Sequence, residues 1–282
     1  MTQQPGMPPP APGAPMPVQQ QTQWMPMPEA MPGCPSGLEY LTQLDQLVIK
    51  QKVELMEMFT GMETNNKYEL KNSMGQTCYK AAEKSNFCER QCCGPLRSFE
   101  MLINDNTNRE VLHLTRPLKC QSACCFCCLQ EVDVTARFEK TEKHFFFVAF
   151  LPFFYKVFEK LFLTHCISPV TGETIGLIRQ KCDPCLPVFE IQDASGNAVF
   201  EIKGPCCQIN CCNDINFPIT TNDGTEVGKI TKQWTGIMKE AYTDADNFGV
   251  TFPLDLDVKM KATLLGAVFL LDFMFFEQPQ NS

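Results

Sequence analysis

The chain has 282 residues, 44% of them apolar, with a net charge of −8 and a pI near 5.0. That length supplies a substantial core. The acidic balance argues against nucleic acid as the main partner, because phosphate binding needs a basic face. The 17 cysteines follow no basic, apolar leader, which points to a reducing compartment. There they serve as thiols, lipid attachment points or metal ligands rather than disulfides.

Residues 1–37 are rich in Pro, Gln, Met and Gly and lack the apolar periodicity that builds a core. They are predicted to be a disordered tail with local polyproline II structure. Pro9 to Pro12 fits PxxP, a form that SH3 and WW grooves take, although a solvated tail is the favoured reading because PxxP arises easily in any Pro-rich run. Trp24 has no assigned role. Composition shifts near Leu38, where the folded domain is predicted to begin and to run to residue 277, leaving 278–282 as a short tail.

From Gln46 the apolar residues mostly alternate, and one unit recurs. It is seen at Tyr68 to Glu83, Phe99 to Leu114, Phe189 to Gly204 and, more loosely, Phe217 to Lys232. Each reads as strand, polar turn, strand. Gly75, Gly196 and Gly224 supply the positive φ of tight turns. Many such hairpins predict a mainly β sandwich or barrel.

Ala262 to Phe276 is the longest nearly pure apolar run, interrupted by Asp272. A bilayer span needs roughly 20 apolar residues, and a mid-bilayer carboxylate costs about 2.5–3.5 kcal/mol. The run is apolar on all sides, which predicts a helix enclosed by protein. A sheet closed around it would bury the helix and remove exposed edges together. The competing reading is a transmembrane anchor.

Three segments carry candidate chemistry. Cys124, Cys125, Cys127 and Cys128 form CCFCC beside a predicted strand. They read as an acylation cluster, as buried small residues, or as a zinc site with poor geometry. Asp244 to Asp255 has the length of a calcium loop. Asp244, Asp246, Phe248, Val250, Phe252 and Asp255 fall at the ligand positions, and Gly249 at the sharp turn. Phe248 offers no side-chain oxygen and Asp255 replaces a bidentate Glu, so the loop would bind Ca2+ weakly, with Kd on the order of 10⁻⁴–10⁻³ M. The competing reading is an acidic turn leading into the last strand. Lys229, Lys232 and Lys239 lie in GKITKQWTGIMK and read as basic residues on the outer face of a strand.

Enzyme chemistry has little support. There are 3 histidines, and GxxxxGK[ST] is absent. No nucleophile–base pair is assembled by spacing.

PSGLEYL at Pro35, ETNNKYELKNSMGQ at Glu63, CCFCCLQE at Cys124, GKITKQWTGI at Gly228 and DADNFGVTFPLDLDVKMKA at Asp244 together resemble the phospholipid scramblase family. The resemblance implies a tubby-like closed barrel of about twelve strands around the C-terminal helix. It implies calcium-activated, ATP-independent, bidirectional movement of phospholipids between leaflets, without covalent catalysis. Palmitoyl thioesters on the four clustered cysteines would hold the chain at the cytoplasmic face of the plasma membrane. If the helix spans instead, the chain is a single-pass type II protein. Lys229, Lys232 and Trp234 match a nonclassical nuclear-import segment, which implies a nuclear role when unacylated. A calcium-dependent oligomer and a signalling adaptor that binds lipid or protein are further expectations. One departure is a Phe-rich segment at about residues 136–167, read as an in-frame insertion without a function of its own. Lengthening a loop from about 6 to about 38 residues costs only about 1.6 kcal/mol of closure entropy, so a barrel tolerates it.

Overall fold

The structure is a computed structural model. It describes residues 23–52, 65–119, 128–136, 172–183, 185–205, 214–233 and 247–277. Twelve strands occur among them: β1 (Gln46–Lys52), β2 (Lys67–Lys71), β3 (Thr77–Lys84), β4 (Phe99–Asn104), β5 (Glu110–Arg116), β6 (Glu131–Ala136), β7 (Glu173–Lys181), β8 (Val188–Asp193), β9 (Ala198–Lys203), β10 (Ile215–Thr221), β11 (Glu226–Gln233) and β12 (Asn247–Thr251). A short helix α1 (Phe87–Cys93) lies between β3 and β4, and α2 (Val258–Phe275) follows β12. Each strand pairs antiparallel with its sequence neighbours, and β1 with β12 closes the barrel. The barrel and its C-terminal helix stand as the resemblance implied.

The four predicted hairpins are β2–β3, β4–β5, β8–β9 and β10–β11. Their likeness has a local cause. In each, the register shifts by one residue just before the turn. The turn then closes with a positive-φ residue: Gly75 (79°), Asn108 (61°), Gly196 (82°) or Gly224 (86°). Asn72, Asp105 and Asp193 open three of these turns, and their side-chain oxygens accept from backbone N–H groups two and four residues on. Such Asx bonds hold the turn without cross-strand help.

Strand alternation sends one set of side chains inward, including Leu47, Ile49, Ile103, Val134, Ile191 and Val250. The helix α2 fills the space they line, and every residue from Met260 to Met274 is buried. Burying each Leu or Phe contributes about 1.5–3 kcal/mol, so the apolar girth of the helix is a main source of stability. Close passage needs small residues. A Cβ built on Gly176 of β7 would lie 2.1 Å from Thr263 Oγ1 on α2, so glycine is required there. Among the described residues, no helix is long and apolar enough to cross a membrane.

Part of the segment assigned to the tail lies against the barrel. Trp24 forms a short parallel bridge to Thr77, Met25 is buried, and the Gly37 carbonyl accepts from Tyr79 Oη at 3.0 Å. Residues 1–22, with the PxxP sequence, lie outside the described residues. So does most of the Phe-rich insertion, from 137 to 171. Its two ends are described: Ala136 pairs with Glu173, so the β6–β7 ladder is complete on both sides of it.

Candidate functional site

Both ends of α2 are fastened by polar groups. At the first rim, Asp257 caps the helix by accepting from the backbone N–H of Lys259 and Met260. One turn on, Lys261 is completely buried. Its ammonium donates to the carbonyls of Leu41 (2.9 Å), Leu44 (2.8 Å) and Leu254 (2.7 Å), and it lies 5.2 Å from the Phe252 ring centroid. Burial holds its pKa below the ordinary amine value, against the pull of Asp45 and Asp255. Three carbonyls replace the water this cation loses, and they tie α2 to the turn before β1 and to the turn after β12.

The second rim is built from opposed charges. Tyr68 Oη donates to Asp272 Oδ2 at 2.7 Å, the carboxylate that interrupts the apolar run. Burial, then the Asp272 charge, lifts the Tyr68 pKa well above the usual phenol value. Arg97 is paired with Glu83 at 2.6 Å and with Glu277 at 2.6 Å, and its guanidinium lies 4.6 Å from the Phe273 ring centroid. Burial pulls the Arg97 pKa down, but bonds to Glu83 and Glu277 outweigh it and the net shift is upward. Glu277 shifts upward too, because burial outweighs the help of Arg97. The pair therefore keeps its cation firmly and its outer carboxylate less so. Beside it, Arg116 donates to Gln130 Oε1 at 2.9 Å and to the Pro95 carbonyl at 2.9 Å. Burial and the Arg97 charge bring Arg116 down to about 10. Sequence reasoning missed Arg97, Glu83, Glu277, Tyr68, Arg116 and Lys261. The available signal was that charges within an all-apolar helix demand partners.

The described ends of the cysteine-rich connections lie at the same rim. From Lys119 to Cys128 the chain joins the end of β5 to the start of β6, and both strand ends lie there. Cys124, Cys125 and Cys127 lie outside the described residues. Cys128 is half-buried, and its carbonyl accepts from Gln130 Nε2 at 3.0 Å, so the cluster's last member is wired through Gln130 to Arg116. Cys182 and Cys185, between β7 and β8, are exposed. Among the described residues, no three His, Cys, Asp or Glu side chains are grouped to hold a metal.

The described members of the predicted calcium set lie in or just beyond a strand. Asp244 and Asp246 lie outside the described residues. Phe248, Gly249 and Val250 belong to β12 and pair on both sides, with Ile49, Val48 and Leu47 of β1 and with Lys232, Thr231 and Ile230 of β11. Phe248, Val250 and Phe252 are buried in the core. A calcium loop would require Gly249 to turn sharply, whereas here it is extended and doubly paired. Asn247, next to Asp246, and Thr251 stand at opposite ends of a strand about 13 Å long, and Asp255 lies beyond Thr251. Ligands of one Ca2+ sit within about 2.6 Å of it. This geometry corrects the loop reading at Phe248, Val250 and Phe252, which are strand or core residues. The period-two alternation of Phe248, Val250 and Phe252 was the signal for a strand.

Lys229 and Lys232 lie three residues apart in β11 and so face opposite sides of the barrel wall. Lys229 is exposed, whereas Lys232 Nζ lies 4.3 Å from the Phe276 ring centroid at the rim. Trp234 lies outside the described residues.

A closed barrel threaded by its own C-terminal helix, with a cysteine-rich rim, defines a class, and comparison with known proteins places the chain within it. The Scramblase family model matches residues 25–144 and 149–278, and the chain belongs to this family. It is 49% identical over 255 residues to human phospholipid scramblase 1, covering 90% of this chain and 70% of that protein. It is 49% identical over 271 residues to bovine phospholipid scramblase 2, covering 96% and 80%. Human phospholipid scramblase 4 is 37% identical over 265 residues, covering 92% and 70%.

Proposed function

We propose that the chain promotes bidirectional, ATP-independent movement of phospholipids between membrane leaflets, acting from the membrane surface. Palmitoyl thioesters on Cys124, Cys125, Cys127 and Cys128 hold it there. One acyl chain gives only marginal attachment and two give a stable one, so a cluster is the chemistry to expect. Lipid movement makes and breaks no covalent bond. Membership of a family whose relatives are named phospholipid scramblases supports this reading. The observation that shapes it is the enclosed helix: α2 is latched inside its own wall at both ends, so acyl chains rather than α2 make the bilayer contact. No step passes through calcium at residues 244–255.

The enclosed helix also favours a second reading, an acylated adaptor that binds lipids or proteins at the membrane and enters the nucleus when unacylated. Liposomes separate the two. Acylated protein in vesicles carrying a fluorescent phospholipid should expose inner-leaflet label to an external quencher. The variant with all four clustered cysteines changed to Ala should not. Calcium is added in parallel: a response that survives Asp255→Ala places calcium elsewhere in the chain. Vesicles that keep their asymmetry with acylated protein, with and without calcium, would favour the adaptor.

A further inference from the structure

We propose that the outer wall formed by β1, β2 and β3 is a docking face for an anionic bilayer surface, on which the barrel lies on its side. The inward residues of these strands fix the outward ones. Leu47 and Ile49, Tyr68 and Leu70, and Tyr79 and Ala81 are buried, so Lys50, Lys52, Lys67, Lys71, Lys80 and Lys84 face outward. Register sets them in rows. Lys50 is opposite Glu69 and Glu69 is opposite Lys80, while Lys52 is opposite Lys67. Glu69 lies beneath the lysines, 2.6 Å from Lys52 and 3.0 Å from Lys71, and is the one outward carboxylate of the three strands. Neighbouring strands are about 4.8 Å apart. Neighbouring ammonium groups therefore stand within about one Debye length of each other, over a face about two Debye lengths long, and neighbouring fields add.

Three of the six lysines have an acid, Lys52 and Lys71 sharing Glu69 and Lys84 reaching Glu100 of β4 at 3.4 Å, so the face keeps an excess of positive charge that the opposite wall lacks. On β6 to β9 each outward cation meets an acid: Arg179 with Glu131 at 3.6 Å, Lys181 with Glu190 at 3.3 Å and with Glu201 at 3.0 Å, and Lys203 with Glu201 at 2.8 Å. On the near flank, β12 presents Asn247, Gly249 and Thr251, none of them charged. A chain of net charge −8 is repelled by an anionic membrane as a whole. Only an oriented approach through this face reverses the sign.

Two aromatic groups fit the same contact. Trp24, bridged to the start of β3, lies under Lys80, whose Nζ is 5.1 Å from the ring centroid. Phe87 is 47% exposed, three residues beyond Lys84 at the lower edge of the face. A half-buried Trp and an exposed Phe beside lysines suit the headgroup level of a bilayer. Neither is explained by the barrel core.

The proposal rests on the reading that the chain works at a membrane surface, but its test involves no lipid movement, so either can fail alone. Full-length, unacylated protein is sedimented with vesicles of phosphatidylcholine alone and of phosphatidylcholine with about 25% phosphatidylserine. Binding should require the anionic lipid and weaken as salt is raised. Each surface lysine contributes about fivefold to partitioning. Lys50→Glu with Lys80→Glu should therefore lower binding at least about tenfold, with unchanged melting. Arg179→Glu with Lys203→Glu, the same charge change on the opposite wall, should lower it less than about threefold. Absence of binding, equal binding to both vesicles, or equal loss from both double variants would overturn the proposal. So would displacement from vesicles by duplex DNA at matched phosphate, which would make the face a nucleic-acid surface.

Discussion

The two ends of α2 solve one problem in different ways. At its start, a buried cation is solvated by three backbone carbonyls, neutral groups held by local turns. At its finish, Asp272 accepts from the neutral Tyr68 of β2, and Arg97 before β4 is paired with Glu83 of β3 and Glu277 after the helix. Two of its carbonyls, those of Leu41 and Leu44, come from 220 and 217 positions away, but every residue carries a backbone carbonyl, so the cage asks little of side-chain identity. An ion-pair floor depends on residues such as Arg97 and Glu277, 180 positions apart, arriving together. The first end depends on one side chain, Lys261, and tolerates changes around it. The second is a long-range lock whose members fail as a group.

The strongest way to break this contrast is Arg97→Met. It strands the Glu83 and Glu277 carboxylates in a dry site, and urea unfolding should show a loss of about 3–5 kcal/mol. A loss below about 1 kcal/mol would show that water reaches the floor. Removing the helix cap at the other end, Asp257→Ala, should cost about 0.5–2 kcal/mol in the same assay. The smallest effect sharpens the comparison through its sign. In the folded chain Tyr68 holds its proton more tightly than a free phenol, so its end loses stability as pH climbs past 10. Lys261 holds its proton less tightly than a free amine, so its end gains stability as pH rises toward 10.5. Tyr68→Phe should flatten the alkaline decline in stability and Lys261→Met should steepen it. Equal slopes in the two variants would remove the distinction.

The sequence disclosed what repeats locally and concealed what is assembled at a distance. Alternation and turn residues located four hairpins, because each turn is stabilised within five residues by its own Asn, Asp or Gly. The apolar run announced an enclosed helix, and Asp272 within it announced a need for a partner. That the partner is Tyr68, 204 residues away, depends on barrel closure, which no window of sequence contains. The loop reading of residues 248–252 met a strand for a related reason. Residues 244–255 have loop spacing when counted alone, but pairing with β1 and β11 holds Asn247–Thr251 extended. Ladder bonds on both sides outweigh a weak ligand set. The basic wall was invisible because its lysines are spread over three strands and gather only through register.

The central claim is that α2 stays inside its own β-wall while the protein is on a membrane. Photoactivatable phospholipids with the reactive group midway along the acyl chain test it directly, with acylated protein on vesicles and the labelled residues mapped by mass spectrometry. The enclosed-helix account predicts label outside Val258–Phe275. Label on Leu264 to Phe273, the stretch most deeply surrounded by strands, would contradict it.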